Sequence, residues 1–421
     1  MRKQTIITGL TFVAASALVV VALVQLSDEG QHAPPPRRES PEAVIARTEP
    51  GQWTPLPPGP LAPRGDHKAV WTGSEMLVWG GQATELTEEV RAGDGRRWNP
   101  VTRTWSGIAV TRFADGAALD PSTRSWRSTA PAPFEDSNHT AVWTGAEMIV
   151  WGFDDRGRES GASYDPWADG WRPIAGSPLR NGGHTAVWTG KEMIVWGSSG
   201  GAGPATGAAY NPSGDSWAVL PEAPVGGRVS HTAVWTGTEM IVWGGFSRDE
   251  GTDGLGDGAA YNPTTRSWRM LPPAPAERRR FHSVAWTGTE AIIWWGEGDL
   301  APRAGGAAYN PMAHSWRNLP TPPLDGRSGA TAVWTGRSVI AWGGSARRQA
   351  EVGNVFQAYG DGASYDPGTG SWTVLPAAPL SARCGQSGIW TGREFIIWGG
   401  SPGCGDSRPG SNGGASYVPA G

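Results

Sequence analysis

The sequence predicts an all-β fold of repeated four-stranded sheets, and three observations lead to this prediction. Two short β-rich runs flank a Gly-x pair in seven copies of one phrase, a pattern typical of tight hairpins; the copies contain Trp-Thr-Gly beginning at Trp71, Trp143, Trp188, Trp235, Trp286, Trp334 and Trp390. Each copy is followed by a phrase such as Gly207 to Pro212 and then Trp217, which predicts a third strand, a turn and a fourth strand. The repeat length of about 45 to 56 residues matches one blade of a β-propeller.

The composition agrees with many short strands joined by turns. The chain has 421 residues, among them 62 Gly, 36 Pro and 25 Trp, and only 18% of its residues are charged. Disordered chains lack so many large apolar groups, which excludes a disordered, low-complexity chain. The net charge of −4 provides no basic surface, so nucleic acid is excluded as the expected partner.

Most tryptophans occupy repeated positions, which we interpret as core positions. Each tryptophan can bury about 200 Å², and at about 25 cal/mol/Å² the burial of 22 of them contributes on the order of 100 kcal/mol of gross hydrophobic free energy. So much apolar surface is not expected to remain exposed to water. Apart from the seven in Trp-Thr-Gly, seven are assigned to the end of the second strand, namely Trp79, Trp151, Trp196, Trp243, Trp295, Trp342 and Trp398. Eight are assigned to fourth strands, namely Trp53, Trp105, Trp126, Trp171, Trp217, Trp268, Trp316 and Trp372.

The ring of blades is predicted to close through the beginning of the domain. The last copy stops after its third strand at Tyr417, and a matching fourth strand, Trp53 to Pro57, precedes the first blade. Pairing these segments protects the edges that an open ring would expose.

One stretch near residues 91–130 departs from the repeat. Two phrases typical of third and fourth strands lie between Trp71 and Trp143, one around Trp98 and one around Trp126. The sequence allows an extra hairpin in a seven-bladed ring or the remnant of an eighth blade. Because a half blade would leave a gap in the ring, we favour seven blades.

The repeats resemble the kelch motif. The resemblance rests on a Gly-Gly pair after the second strand, a Tyr in the third and a Trp in the fourth, as in Gly244-Gly245, Tyr261 and Trp268. From about Gln52 to its end the chain is similar to kelch-repeat β-propellers, the architecture of the central domain of galactose oxidase-like proteins. This resemblance implies the fold but says little about function, because kelch propellers serve both as binding scaffolds and as enzymes.

An apolar N-terminal segment predicts that the propeller is exported. Residues Thr5 to Leu26 carry no charge, and 22 helical residues would reach roughly 33 Å, enough for a hydrocarbon core of about 30 Å. Basic residues precede this run and acidic residues follow it, which leaves the N-terminus in the cytoplasm. We predict a signal anchor over residues 1–27, a Pro-rich linker over 28–51 and a periplasmic or extracellular propeller over 52–421. A cleaved signal peptide is the alternative, and it would release a secreted domain.

An Arg and a His recur just before the predicted first strands. The resemblance to kelch propellers places these positions on the face where ligands usually bind. A ring of imidazoles could bind a metal or an anion, but a feature present in most blades is more often a hydrogen bond between blades. The candidate set is Arg64, His67, His139, Arg180, His184, Arg228, His231, Arg279, His282, Arg327 and Arg383, with Ala330 and Gln386 replacing His in two blades.

The loops between second and third strands vary most among the copies. Charged residues crowd two of them, with Asp154 and Asp155 in one and Arg248 and Asp249 in another. These loops are interpreted either as a polar recognition surface or as ordinary solvated loops.

The chain contains two cysteines, Cys384 and Cys404, both in the last blade. If the first hairpin of that blade centres on Gly392-Arg393, residue 384 faces residue 401, and Cys404 lies at the same end. In an oxidising compartment we expect a disulfide that pins the closing blade.

These patterns favour binding over catalysis. The sequence contains no Gly-x-Ser-x-Gly elbow and no His-Glu-x-x-His metal motif. Copper oxidases with kelch propellers need tyrosine ligands, and Tyr359 is the one Tyr outside the repeated third-strand position. Our first hypothesis is a monomeric, membrane-tethered module without a cofactor that recognises a protein or a glycan through the variable loops. The alternative is a sugar epimerase or mutarotase that uses Arg and His at the channel mouth.

Overall fold

Seven four-stranded antiparallel sheets form the framework of the computed structural model. The first strands of successive sheets lie side by side, and the seventh returns to the first, so the sheets form a closed ring of blades. The protein is therefore an all-β, seven-bladed propeller, as predicted. The structure describes residues 10–15, 18–22, 51–87, 95–99, 104–134, 138–153, 159–179, 182–197, 206–247, 254–298, 301–349, 354–404 and 410–420.

We number the strands β1–β35 along the chain and the blades 1–7 by their first strands. Blade 1 consists of β4 (Lys68–Trp71), β5 (Met76–Trp79), β9 (Gly116–Asp120) and β10 (Ser125–Ser128). Blade 2 consists of β11 (Asn138–Trp143), β12 (Met148–Phe153), β13 (Glu159–Asp165) and β14 (Gly170–Pro173). Blade 3 consists of β15 (Thr185–Trp188), β16 (Met193–Gly197), β17 (Thr206–Asn211) and β18 (Ser216–Val219).

The remaining blades repeat this order. Blade 4 consists of β19 (Thr232–Trp235), β20 (Met240–Trp243), β21 (Gly258–Asn262) and β22 (Ser267–Met270). Blade 5 consists of β23 (Ser283–Trp286), β24 (Ala291–Trp294), β25 (Gly306–Asn310) and β26 (Ser315–Asn318). Blade 6 consists of β27 (Thr331–Trp334), β28 (Val339–Trp342), β31 (Gly362–Asp366) and β32 (Ser371–Val374). Blade 7 consists of β33 (Ser387–Trp390), β34 (Phe395–Trp398), β35 (Gly414–Tyr417) and β3 (Trp53–Pro55).

The Trp-Thr-Gly phrase builds the turn between first and second strands. In blade 4 the Thr236 Oγ1 accepts the backbone N–H of Glu239 at 2.9 Å. Gly237 between them has a φ of 98°, a conformation that glycine adopts without steric cost. The phrase therefore recurs because each blade needs the same tight turn.

The predicted closure of the ring is confirmed. Strand β3 pairs antiparallel with β35, with Trp53 opposite Tyr417 and Pro55 opposite Ala415. The N-terminal strand thus supplies the fourth strand of blade 7, which leaves no blade incomplete.

Blades 1 and 6 carry insertions between their second and third strands. In blade 1 the insertion is a three-stranded sheet of β6 (Gln82–Thr87), β8 (Thr104–Arg112) and β7 (Gly95–Asn99), in that order. In blade 6 it is a hairpin of β29 (Ser345–Gln349) and β30 (Asn354–Ala358). The irregular stretch near residues 91–130 is therefore an insertion followed by the third and fourth strands of blade 1, and the alternative of an eighth blade is wrong.

The N-terminal prediction falls mostly outside the described residues. Two short antiparallel strands, β1 (Leu10–Ala15) and β2 (Leu18–Ala22), are described there. Within the described ranges, no helix has the length and apolar character needed to cross a bilayer. The remainder of the signal anchor and residues 28–50 of the linker lie outside the described residues, so the transmembrane helix stays a prediction.

The second-strand tryptophans form the core between blades, with one correction to the sequence assignment. Trp79, Trp196, Trp243 and their counterparts are fully buried. In blade 5 the equivalent residue is Trp294, which pairs with Gly306 as Trp243 pairs with Gly258. Trp295 was therefore assigned wrongly, because a second tryptophan follows where other blades have glycine.

The fourth-strand tryptophans connect each blade to the one before it. Each indole Nε1 donates to a backbone carbonyl in the linker that follows the previous blade, at 2.8–3.1 Å. The bond from Trp53 to Pro376 belongs to this set, so the closing strand is held like every other fourth strand. The seven donors are Trp53, Trp126, Trp171, Trp217, Trp268, Trp316 and Trp372.

Candidate functional site

The two faces of the ring differ in variability. The turn face carries the turns between first and second strands and between third and fourth strands, and those turns have the same lengths in successive blades. The loop face carries the connections between second and third strands and the linkers between blades. Both insertions lie on the loop face, since both follow a second strand. Variation in this propeller is therefore confined to the loop face.

The repeated arginines are buried on the loop face and hold its connections. Arg228 Nη1 and Nη2 donate to the two carboxylate oxygens of Asp257 at 2.8 and 3.1 Å, and Nη1 also donates to the Gly244 carbonyl at 3.2 Å. Arg64 makes the same bonds to Asp115 in blade 1, and Arg327 pairs with Asp361 in blade 6. These arginine side chains are 0% exposed, whereas the aspartates are nearly half exposed. Each pair ties the segment before the first strand to the connection before the third strand of the same blade.

The histidines connect neighbouring blades. The Nε2 of His231 in blade 4 lies 2.9 Å from Thr185 Oγ1 in blade 3, and its ring stands edge-on against Trp196 at 5.0 Å between centroids. His184 and His282 contact the preceding blade in the same way. His67 and His139 pack edge-on against Trp398 and Trp79. The five rings are buried, which gives them the geometry of blade-to-blade contacts.

Burial keeps His67, His231 and His282 neutral. Loss of solvation, and then the charge of Arg228, lower the pKa of His231 to about 3. Burial likewise lowers the pKa of His67 and His282 well below the ordinary value. Neutral imidazoles enclosed between blades offer no open group for acid–base catalysis, so the geometry lends no support to a sugar epimerase site there.

Blade 5 breaks the Arg–Asp pattern. Gly305 stands where blades 1, 4 and 6 have aspartate. Among the described residues, Arg279 donates only to backbone carbonyls, those of Glu277, Trp295 and Gly305. Trp295 replaces the glycine that accepts this bond in blade 4 and has a positive φ of 56°, a strained conformation for a bulky residue. An alignment of the residue before each Gly-Ala-Ala or Gly-Ala-Ser phrase could have revealed the substitution at Gly305.

Cavities lie on the loop face of blades that lack the Arg–Asp pair. One of about 430 Å³ in blade 5 is lined by Arg279, Arg303 and Gly305. Another of about 250 Å³ in blade 2 is lined by Ser160, which occupies the aspartate position there. Within the part of the chain that the structure describes, no cluster of His, Cys, Asp or Glu could hold a metal ion.

Several predicted site residues cannot be placed. Arg180, Asp154, Asp155, Arg248 and Asp249 lie outside the described residues. Among the loops between second and third strands, the blade 6 hairpin of β29 and β30 lies within the described residues, except for residues 350–353.

Tyr359 anchors the blade 6 hairpin. Its ring stacks on the Arg327 guanidinium at 3.9 Å, and its hydroxyl accepts a hydrogen bond from Arg348 at 2.9 Å. Arg348 also donates to Asp325 at 2.8 Å. The tyrosine that stands outside the repeat is therefore a fixed support for this loop.

The turn face contains a polar network that the sequence analysis missed. In blade 4 the guanidinium of Arg269 binds both carboxylate oxygens of Glu239 at 2.9 and 2.6 Å and the Tyr309 hydroxyl of blade 5 at 2.9 Å. Glu290 and Arg317 repeat this arrangement from blade 5 to blade 6. The signal was a Glu two residues after six of the seven Trp-Thr-Gly phrases, together with an Arg directly after four of the fourth-strand tryptophans. It marks contacts between blades.

The predicted disulfide is confirmed. Cys384 and Cys404 are joined, with their Cα atoms 5.7 Å apart. Cys384 faces Ser401 across the hairpin, in the register that the sequence predicted.

The closed ring, the repeated Trp contacts and the variable loop face define a kelch-type β-propeller. This class typically serves as a protein-binding scaffold. The chain matches the KLHDC2/KLHL20/DRC7 Kelch-repeats domain over residues 183–400, and it belongs to this family. No curated protein matches the chain.

Proposed function

We propose that this protein is a membrane-tethered, extracytoplasmic module that binds a protein partner through its loop face. The observation that carries the proposal is the contrast between the faces, because length variation and both insertions are confined to the loop face. Loops that vary on a rigid scaffold are where binding surfaces usually lie.

The blade 6 hairpin offers a suitable contact patch. Arg347 and Phe356 are directly opposite each other across β29 and β30, and both side chains are exposed, Phe356 to 42%. Aromatic residues and arginine are enriched among residues that dominate protein–protein binding energy. The anchoring of the hairpin through Tyr359 reduces the conformational entropy that a partner must otherwise overcome.

A pull-down with matched variants tests this proposal. The wild type and Met312→Ser should capture the same extracytoplasmic partner, whereas Arg347→Glu with Phe356→Ser should reduce its recovery at least about tenfold. Met312 is the control because it is 94% exposed and lies in a turn on the opposite face. Equal recovery with both variants would contradict the proposal, and loss of recovery after deglycosylation of the partner would indicate glycan recognition instead.

The disulfide supports the extracytoplasmic location, since disulfides persist in oxidising compartments. We expect the full chain to be recovered in the membrane fraction with Cys384 and Cys404 oxidised. Removal of residues 1–27 should leave the protein in the cytoplasm with both thiols open to alkylation. A Cys384→Ser, Cys404→Ser variant sets the background of the assay. Oxidised cysteines in the truncated protein, or a full chain absent from the membrane fraction, would contradict the proposed tether.

A further inference from the structure

Arg279 in blade 5 is a buried cation without the carboxylate that Arg64, Arg228 and Arg327 have. Its side chain is 2% exposed. Its Nε and Nη1 donate to backbone carbonyls, and Nη2 has no acceptor among the described residues. In blade 4 the corresponding Nη2 of Arg228 donates to Asp257.

The missing carboxylate leaves open space. Gly305 occupies the position of Asp257, and an added Cβ at Gly305 would meet no atom within 4 Å. The vacated volume belongs to the cavity of about 430 Å³ on the loop face. Blade 7 also lacks the aspartate, but there the Arg383 Nη2 donates to Ser381 Oγ at 3.1 Å. Among the repeated arginines that the structure describes, only Arg279 therefore faces an open aspartate position.

The charges around this cavity favour an anion. Glu277 lines it, but its carboxylate pairs with Arg303 at 2.7 Å. Among the described residues that line the cavity, there are thus two guanidinium groups, those of Arg279 and Arg303, and one carboxylate, that of Glu277. Burial lowers the pKa of Arg279 to about 10, while the charge of Glu277 opposes this shift and that of Arg303 adds to it.

We propose that the blade 5 cavity binds a carboxylate of a ligand, which takes the place of the missing aspartate and accepts hydrogen bonds from Arg279. The carboxylate can come from an acidic side chain of the protein partner or from a small free acid. The first source rests on the proposed function, whereas the site itself does not. A planar guanidinium suits a carboxylate because it can donate two parallel hydrogen bonds.

Gly305→Asp provides the decisive variant. The substitution is sterically allowed, since the position is open and its φ is not positive. The new carboxylate should bind Arg279 as Asp257 binds Arg228, filling the site from within. The variant should therefore fold at least as stably as the wild type while its site is blocked.

The full chain is titrated with three probes at constant ionic strength. These are sodium acetate, the peptide acetyl-Ala-Ala-Asp-Ala-Ala-amide and its Asn counterpart, with chloride as the salt control. Acetate should raise the melting temperature of the wild type but not of Gly305→Asp. The Asp peptide should bind the wild type at least about tenfold more tightly than Gly305→Asp, and the Asn peptide should bind neither.

The outcomes separate the possibilities. Equal responses of wild type and Gly305→Asp, or no response to either carboxylate probe, would overturn the site. Binding of acetate without the Asp peptide would overturn the partner side chain as the source and leave a site for small acids. Binding of the Asp peptide while the hairpin variants capture the partner normally would retain this site and refute the proposed contact patch.

Discussion

Deletion of residues 51–58 should abolish cooperative folding of the propeller. This segment contains β3, whose Trp53 packs 5.1 Å from Tyr417 and 6.2 Å from Phe395 between ring centroids. Truncating a large buried side chain costs about 2–5 kcal/mol, and the deletion removes the buried Leu56, the partly buried Trp53 and the pairing of a whole strand. The expected loss, at least about 5 kcal/mol, is comparable with the total stability of many domains.

The deletion should act on two interfaces at once. It removes the donor of the bond from Trp53 to Pro376, and it also removes the Pro57 carbonyl that accepts from Trp126 in blade 1. Strand β35 would become an exposed edge that can pair with other chains. Aggregation is therefore expected alongside unfolding.

Thermal unfolding followed by near-UV circular dichroism and light scattering measures this effect. An equally long deletion of residues 34–41 in the Pro-rich segment is the control and should melt like the wild type. A cooperative transition of the 51–58 deletion at the wild-type temperature would refute the role of β3 in closure.

Acidification below pH 6.5 should destabilise the propeller steeply. His67, His231 and His282 are buried, and burial lowers the pKa of each in the folded protein, that of His231 to about 3. The unfolded chain takes up protons near pH 6.5, whereas the folded protein does not. The stabilisation by neutral histidine is thus complete above pH 6.5 and is lost as the pH falls toward about 3.

The expected magnitude follows from the number of histidines. Each contributes about 1.4 kcal/mol per pH unit, so three contribute about 4 kcal/mol per unit below pH 6.5. Between pH 6.5 and pH 5 the free energy of unfolding should fall by about 6 kcal/mol. Denaturant unfolding at pH 7.5, 6.0 and 5.0 measures this decrease.

Blade 7 supplies the control substitution. Gln386 occupies the histidine position there, and its Nε2 donates to the Trp342 carbonyl at 3.1 Å. The double variant His231→Gln, His282→Gln should therefore fold and lose the contribution of two histidines, about 3 kcal/mol per pH unit. An unchanged slope in this variant would assign the acid sensitivity to other groups.

The number of blades and the closure could be predicted because they depend on local patterns. The period of Trp-Thr-Gly and the incomplete last copy are visible along the chain, and hairpin register follows from turn position, as Cys384 opposite Ser401 illustrates. The second-strand tryptophan of blade 5 was assigned wrongly because two tryptophans, Trp294 and Trp295, are adjacent. Only the pairing of Trp294 with Gly306 shows which of them corresponds to Trp243 of blade 4.

The candidate site was less accessible to sequence reasoning. The Arg–His repeat was visible, but its partners are separated by tens of residues, as in His231 with Thr185. Burial of Arg64 against Asp115 depends on an insertion that folds back between them. The proposed carboxylate site at Arg279 depends on Gly305, which is informative only by comparison with the aspartates of blades 1, 4 and 6.

By itself, the sequence determined the all-β repeat, the seven hairpins and the strand that completes blade 7, because glycine turns and alternating apolar residues act over a few neighbouring positions. Only the folded structure shows which of the repeated arginines have a carboxylate partner and that the aspartate position of blade 5 is open. These properties depend on contacts between segments that are distant in the sequence. A buried arginine paired with a carboxylate stabilises the fold, whereas a buried arginine without one is a candidate ligand site.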